Sequence, residues 1–289
     1  MQEVAAKMFQ KKEMRITLMG NDIKIKVDLP DVVNKTLEKP AETLGDKISD
    51  LLEIIFGGIT YTKEKLAYKR AVNLEQFKKR LSEKVGNIPQ EDRIDPSESI
   101  VGPALEAAKY RIDTEELREL FANLIASSLD AKKASSVHPA FSEIIKNLSP
   151  QDAKAIGKLA YLRDSHIIPI ISIDENVMSI PNNLNHYCML ADEFGFAESN
   201  TIISSLLRCG LIELNYVFSK DTNFQGFTFD DMETKFATLR GIKRVGRNVG
   251  NPLTYKYGVI CLTALGYEFA KVCVPESFAD DSRAVQSSK

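Results

Sequence analysis

The chain predicts a mainly helical fold with a smaller α+β part. Three observations carry this. Between Asp95 and Asp152, helix start signals recur and each is followed by an apolar stripe of helical period. Upstream, Arg15 to Leu29 alternates apolar and polar residues, as a small hairpin does. Downstream of Ser149 the pattern changes to short helices interleaved with β-rich runs.

The central stretch is the most regular. Pro103 reads as the opening of one helix, where its missing N–H is harmless. Asp113 reads as the cap of the next, with Glu116 completing a capping box. Pro139 opens a third, and Ser149 to Asp152 cap a fourth. Leu117, Leu120, Phe121, Leu124, Ile125 and Ser128 form one buried stripe, and Phe141, Ile144, Ile145 and Leu148 another.

Before this core, Ile23, Ile25 and Val27 alternate with Lys24, Lys26 and Asp28 after a turn at Gly20-Asn21-Asp22. Residues 31–85 read as a basic helical region. From Lys63 to Lys84 there are eight Lys/Arg against three Glu. Either an anionic partner, nucleic acid or membrane, or a solvated helix face explains that excess, and the solvated face is the simpler reading. Peripheral membrane contact through 51–84 is the functional alternative, because apolar Leu51 to Phe56 adjoins the basic helix. Residues 86–102, rich in Pro, Gly, Asp and Ser, read as a linker. The core then occupies 103–148.

Residues 149–274 read as helix, strand, helix, turn, helix, strand, long connection, strand, helix. The helices flanking the turn are expected at Leu184–Phe194 and Glu198–Arg208, and the strands at His166–Asp174, Leu211–Leu214 and Tyr255–Leu262. That order is the order of a winged-helix domain. TIISSLLRCGLIEL would be its second helix-turn-helix helix running through a Gly into the first wing strand. The connection from 216 to 252 is long enough to hold an insertion. Residues 275–289 are a polar tail of disordered composition.

Composition narrows the function. The 289 residues are 44% hydrophobic and 27% charged, with net charge -2, so global charge selects no partner. The four cysteines stand singly and read as free thiols of a reducing cytoplasm. No signal peptide and no transmembrane segment is legible. No Walker loop, nucleophile elbow or dinucleotide fingerprint occurs, and no cofactor is expected. No catalytic residue stands out.

Weak candidates are few. His138 reads as a turn histidine at a helix start, and as a base or ligand only in second place. Glu106 and Glu143 read as members of internal ion pairs. His186, Cys188 and Cys209 fall short of a zinc set, so no metal is expected. Asp230, Asp231, Glu233 and Lys235 contain an acid-x-Lys element that a metal-dependent nuclease would place on a strand. The better binding candidate is the Gly-rich segment carrying Arg240, Lys243, Arg244 and Arg247, suited to phosphate contacts. With it goes the helix face offering Ser199, Asn200, Ser204, Ser205 and Arg208. A protein-contact surface is the alternative reading.

The strings IVGPALEA, EELRELFANLIASS and VHPAFSEIIKNLS resemble the signature of the bacterial abortive infection alpha family, a family of unknown biochemical function. Within them lie Pro103, Glu106, Leu117, Phe121, His138, Pro139 and Glu143. The similarity runs from about Pro40 to about Val274. The resemblance implies a role in defence against bacteriophage and carries no catalytic residues. The expectation is a cytoplasmic, non-enzymatic binding protein that contacts DNA or a phage or host protein.

Overall fold

The structure is a computed structural model that describes residues 13–18, 21–26, 52, 64–95, 97–161, 168–173, 186–220, 222, 228–239 and 255–275. The backbone divides into two compact units, Met1–Lys146 and Asn147–Lys289.

In the first unit, β1 (Glu13–Leu18) and β2 (Asn21–Lys26) pair antiparallel. Leu18 lies opposite Asn21 and Thr17 opposite Asp22, so Asn21 and Asp22 belong to the ladder and not to the turn expected there. Four helices follow: α1 (Glu64–Gly86), α2 (Glu98–Ala108), α3 (Glu115–Ser128) and α4 (Ala140–Asn147). α3 packs against both α1 and α2. Its expected stripe is buried in full, and so are Phe77, Leu81 and Val85 of α1 and Phe141, Ile144, Ile145 and Leu148.

Two expected helix starts move. α2 begins at Glu98, inside the supposed linker, and Pro103 lies within it. A proline there withholds the bond to the carbonyl four residues back, that of Ser99. Ser99 is exposed, so water can take that carbonyl and the helix continues. The cap of α3 is Thr114 and not Asp113, and its side chain makes no capping hydrogen bond. The segment before α2 is also more structured than a linker. Arg93 donates to the carbonyls of Ile88 and Gly86, while the backbone N–H of Ile94 reaches Leu129 and that of Ala131 reaches Asp92.

The second unit contains α5 (Pro150–Tyr161), β3 (Ile168–Ile173), β4 (His186–Cys188), α6 (Leu190–Phe194), α7 (Phe196–Arg208), β5 (Ile212–Phe218), α8 (Phe229–Leu239), β6 (Tyr255–Leu262) and α9 (Ala264–Cys273). The four strands form one antiparallel sheet in the order β4-β3-β6-β5. β4 occupies part of the stretch expected to be helix from Leu184, and α7 starts two residues earlier than expected, directly after Gly195 at φ 83°.

Pleating sends alternate residues to opposite faces, and directly paired residues share a face. Tyr187, Ile171, Tyr257 and Phe218 are in register across the sheet and meet α8, whose Phe229, Met232 and Phe236 complete an aromatic core. Ile168, Ile260 and Leu214 are in register on the other face, the side taken by α5, α7 and α9. The long connection after β5 therefore contains a helix that covers the back of the sheet.

Candidate recognition surface

α7 is held near its start, in its middle and at its end. Its N-terminal half is tied to β4 by Asn200. The Asn200 carboxamide accepts the His186 N–H at 3.0 Å and donates to the His186 carbonyl at 2.9 Å. It also donates to the Phe196 carbonyl at 2.9 Å. An edge strand exposes unpaired amides, and Asn200 blocks those of β4 at this residue.

The middle of α7 is pinned by Asp152. Ser149 and Asp152 cap α5 reciprocally: the Ser149 N–H donates to Asp152 Oδ2 at 2.8 Å and the Asp152 N–H to Ser149 Oγ at 3.1 Å. The same Oδ2 accepts from Ser205 Oγ of α7 at 2.9 Å. Asp152 is buried, and its Oδ2 joins the cap of α5 to the middle of α7.

The end of α7 is a complete Schellman turn. Gly210, at φ 69°, donates to the Leu207 carbonyl at 2.9 Å, and Leu211 to the Leu206 carbonyl at 3.0 Å. α9 then clasps that turn. Thr263 donates its N–H to the Leu211 carbonyl and its hydroxyl to the Gly210 carbonyl, and it caps α9 by accepting from Gly266. Position 266 has no room for a side chain, because a Cβ there would collide with the Leu211 carbonyl oxygen.

Held this way, α7 exposes Glu198, Thr201, Ser204 and Arg208 at steps of three and four residues. Ser204 donates its hydroxyl to the Asn200 carbonyl at 2.9 Å and Thr201 to the Ala197 carbonyl at 3.3 Å. Their lone pairs face outward as acceptors. The stripe is small and carries one charge of each sign. Chemically it offers hydroxyl acceptors and one guanidinium fork.

Of the helix residues singled out in the sequence, Ser204 and Arg208 lie on this surface and Ser205 is half-buried. Ser199 and Asn200 do not lie on it. Both are buried, Ser199 donating to the Phe196 carbonyl, so neither can reach a partner. Their polarity misled because a polar residue in a short helix serves the interior as readily as solvent. Arg240, Lys243, Arg244 and Arg247 lie outside the described residues, as does the polar tail beyond Pro275.

The remaining candidates are dispersed. His138 caps α4: its Nδ1 accepts from the Ala140 N–H at 3.1 Å, and its ring lies 5.9 Å from that of Phe141. Glu143 is exposed and pairs with Lys146 one turn on, so its ion pair lies at the surface and not in the interior. His186 Nδ1 shares a hydrogen bond with the Tyr216 hydroxyl at 3.0 Å. The Tyr216 ring reaches it across Gly258, where a Cβ would stand 2.7 Å from Tyr216 Cδ1. Burial pushes the Cys188 thiol up to about 12 and raises that of Cys209 too, so neither is a ready thiolate ligand. Among the described residues no group of three or more His, Cys, Asp or Glu could hold a metal ion, and the four cysteines are free.

The acid-x-Lys element sits on a helix and its members part company. Thr228 caps α8 by accepting the Asp231 N–H and donates its hydroxyl to Asp231 Oδ2, Glu233 is buried against the Tyr257 hydroxyl and Lys220, and Lys235 is exposed beside Asp192 at 3.5 Å. Burial, then the bond to Glu233, raises the Tyr257 phenol, and Asp230 at 2.6 Å raises Lys220. This buried network escaped sequence reasoning, although a signal was present. Thr228 to Asp231 is a capping box, and Phe229, Met232, Phe236 and Ala237 follow at helical spacing.

The basic helix is partly neutralised from within. Arg80 and Lys84 each lie 2.9 Å from the buried Glu119 carboxylate, and Lys78 lies 3.4 Å from Glu75. Leu52 is buried, while the rest of Leu51 to Phe56 falls outside the described residues. No helix among the described residues is long and apolar enough to cross a membrane.

No curated protein and no solved structure matches the chain. The strings that resemble a family signature build α2, α3, α4 and the cap of α5, and the clasp at Gly210 and Thr263 closes the second unit. A single family model runs through all of these, from residue 69 to residue 273, and the chain belongs to the family it describes, abortive infection alpha.

Proposed function

We propose that this protein acts in abortive infection against bacteriophage by binding nucleic acid through its second unit, a winged-helix-like module. Family membership supports the biological setting. The module reading is carried by one observation, the sheet order β3-β6-β5 fed by α7. In a winged helix the strand after the first helix pairs with the last strand, and the two strands after the recognition helix form the wing. β3, β6 and β5 have that relation, with α7 running into β5 through the Gly210 turn. β4 and α8 are additions to the plan.

In this reading the exposed stripe of α7 approaches a groove, and Arg208 joins the cations of the Gly-Arg segment on phosphates. Those contacts position the protein and read little sequence. Binding should then fall steeply with salt. Replacing Arg240, Lys243, Arg244 and Arg247 together by Ala should reduce the salt slope on duplex DNA by roughly 3 to 4 units. The same variant should lose protection in cells challenged with phage. Association that shows no salt dependence would overturn the nucleic-acid reading in favour of a protein contact.

A further inference from the structure

We propose that Tyr110 and the cations around it form a docking site for single-stranded nucleic acid on the first unit. Tyr110 follows α2 and is 52% exposed, so the core makes little use of its ring. Two cations lie against that ring. The Arg70 guanidinium carbon is 5.8 Å from its centroid and Lys109 Nζ is 5.7 Å from it. Arg111 is the next residue.

The platform is rigid. Backbone N–H groups of Lys109, Tyr110, Arg111 and Ile112 all bond back to carbonyls of α2, and Ile112 is buried. Arg118 of α3 fastens the turn to α1, donating to the Ile112 carbonyl at 3.1 Å and to Asn73 Oδ1 at 3.2 Å. Three elements thus hold one displayed ring.

The charge pattern fits an anionic polymer with flat faces. At the far end of α1, Arg80 and Lys84 are committed to Glu119. At the near end, Arg70 and Lys109 lie at the Tyr110 ring, and Arg111 follows it in the chain. A base can stack on a tyrosine ring or on a guanidinium plane while its phosphates meet the flanking cations. A duplex hides its base faces, so the ligand is a single strand.

The test uses the full chain with fluorescent oligo-dT and oligo-U, read by anisotropy. Tyr110→Ala should weaken binding about tenfold or more, and Tyr110→Phe should bind as wild type. Arg70→Ala with Lys109→Ala should lower the salt slope by about 0.7 per lost contact. The Tyr110→Ala loss should be the same size when Arg240, Lys243, Arg244 and Arg247 are also replaced, which separates this site from the wing. Circular dichroism melts should show the exposed variants folded. Preference for one oligonucleotide identifies DNA or RNA as the source and supports the proposal either way. Three results overturn it: undiminished binding by Tyr110→Ala, equal binding by Tyr110→Leu and Tyr110→Phe, or association of the wild type with anionic vesicles and neither oligonucleotide.

Discussion

A methyl group at position 266 would lie 2.8 Å from the Leu211 carbonyl carbon and collide with its oxygen. Gly210, in the same clasp, is glycine for a different reason. A Cβ there would meet only Leu265 Cδ2, at an ordinary 3.9 Å, but its φ is 69°. The two substitutions should therefore separate. Gly266→Ala should cost about 3 kcal/mol of stability through overpacking, and Gly210→Ala about 1 to 2 kcal/mol through the left-handed backbone. Denaturant midpoints of the two variants would show the difference. Cys188 offers a pH-dependent counterpart. Its thiol, ordinarily near 9.0, is pushed up to about 12 by burial. The unfolded chain loses that proton first, so the native state binds more protons between those values. The stability contribution is full below 9 and drains as pH climbs toward 12, by at most about 1.4 kcal/mol per unit. Cys188→Ala should flatten the alkaline limb of a stability-pH curve. In the native protein a maleimide should label Cys209 and Cys261 before buried Cys188 and Cys273.

Helices and strands were legible in proportion to how local their causes are. The stripes of α3 and α4, the cap of α5, and the bounds of β6 follow from residues a turn or two apart, and periodicity found them. Pro103 and Asp113 misplaced two helix starts because several neighbours can serve each role. β4 was unreadable as a strand. It is three residues long and is fixed by Ile170, Ile171 and Ser172 and by Asn200, all distant in sequence. The exposed stripe of α7 was half legible, since spacing alone cannot say which side of α7 meets Asp152 and His186. α8 makes its own prediction at this scale. Phe236 is fully buried and touches Tyr187, Phe196 and Tyr255, with ring centroids 5.6 to 6.4 Å apart. Phe236→Ala should destabilise the second unit by about 3 to 5 kcal/mol, seen as a shifted thermal transition.

At the scale of the whole chain, net charge of -2 conceals strong local structure in the charge. Of the basic residues of α1, Lys78, Arg80 and Lys84 sit in ion pairs inside the helical unit and Arg70 lies at the Tyr110 ring. The Gly-Arg segment adds another block in the second half. The family strings name the chain without naming its chemistry because most of them are core and caps, and cores report a fold before they report a function. One feature of the second unit reaches beyond its own region. A strand that faces solvent on one side alternates apolar and polar residues, yet β3 reads Ile-Pro-Ile-Ile-Ser-Ile with scarcely a break. It can do so because α8 shields the second side. The sheet has in consequence forfeited its solubility without that helix. Shortening the β5–β6 link to a tight turn would bare Ile171, Tyr187, Tyr255 and Tyr257 together, and a flat aromatic sheet face invites self-association. α8 thus keeps the sheet from pairing with other copies of itself, a duty that falls on its buried Phe229, Met232 and Phe236.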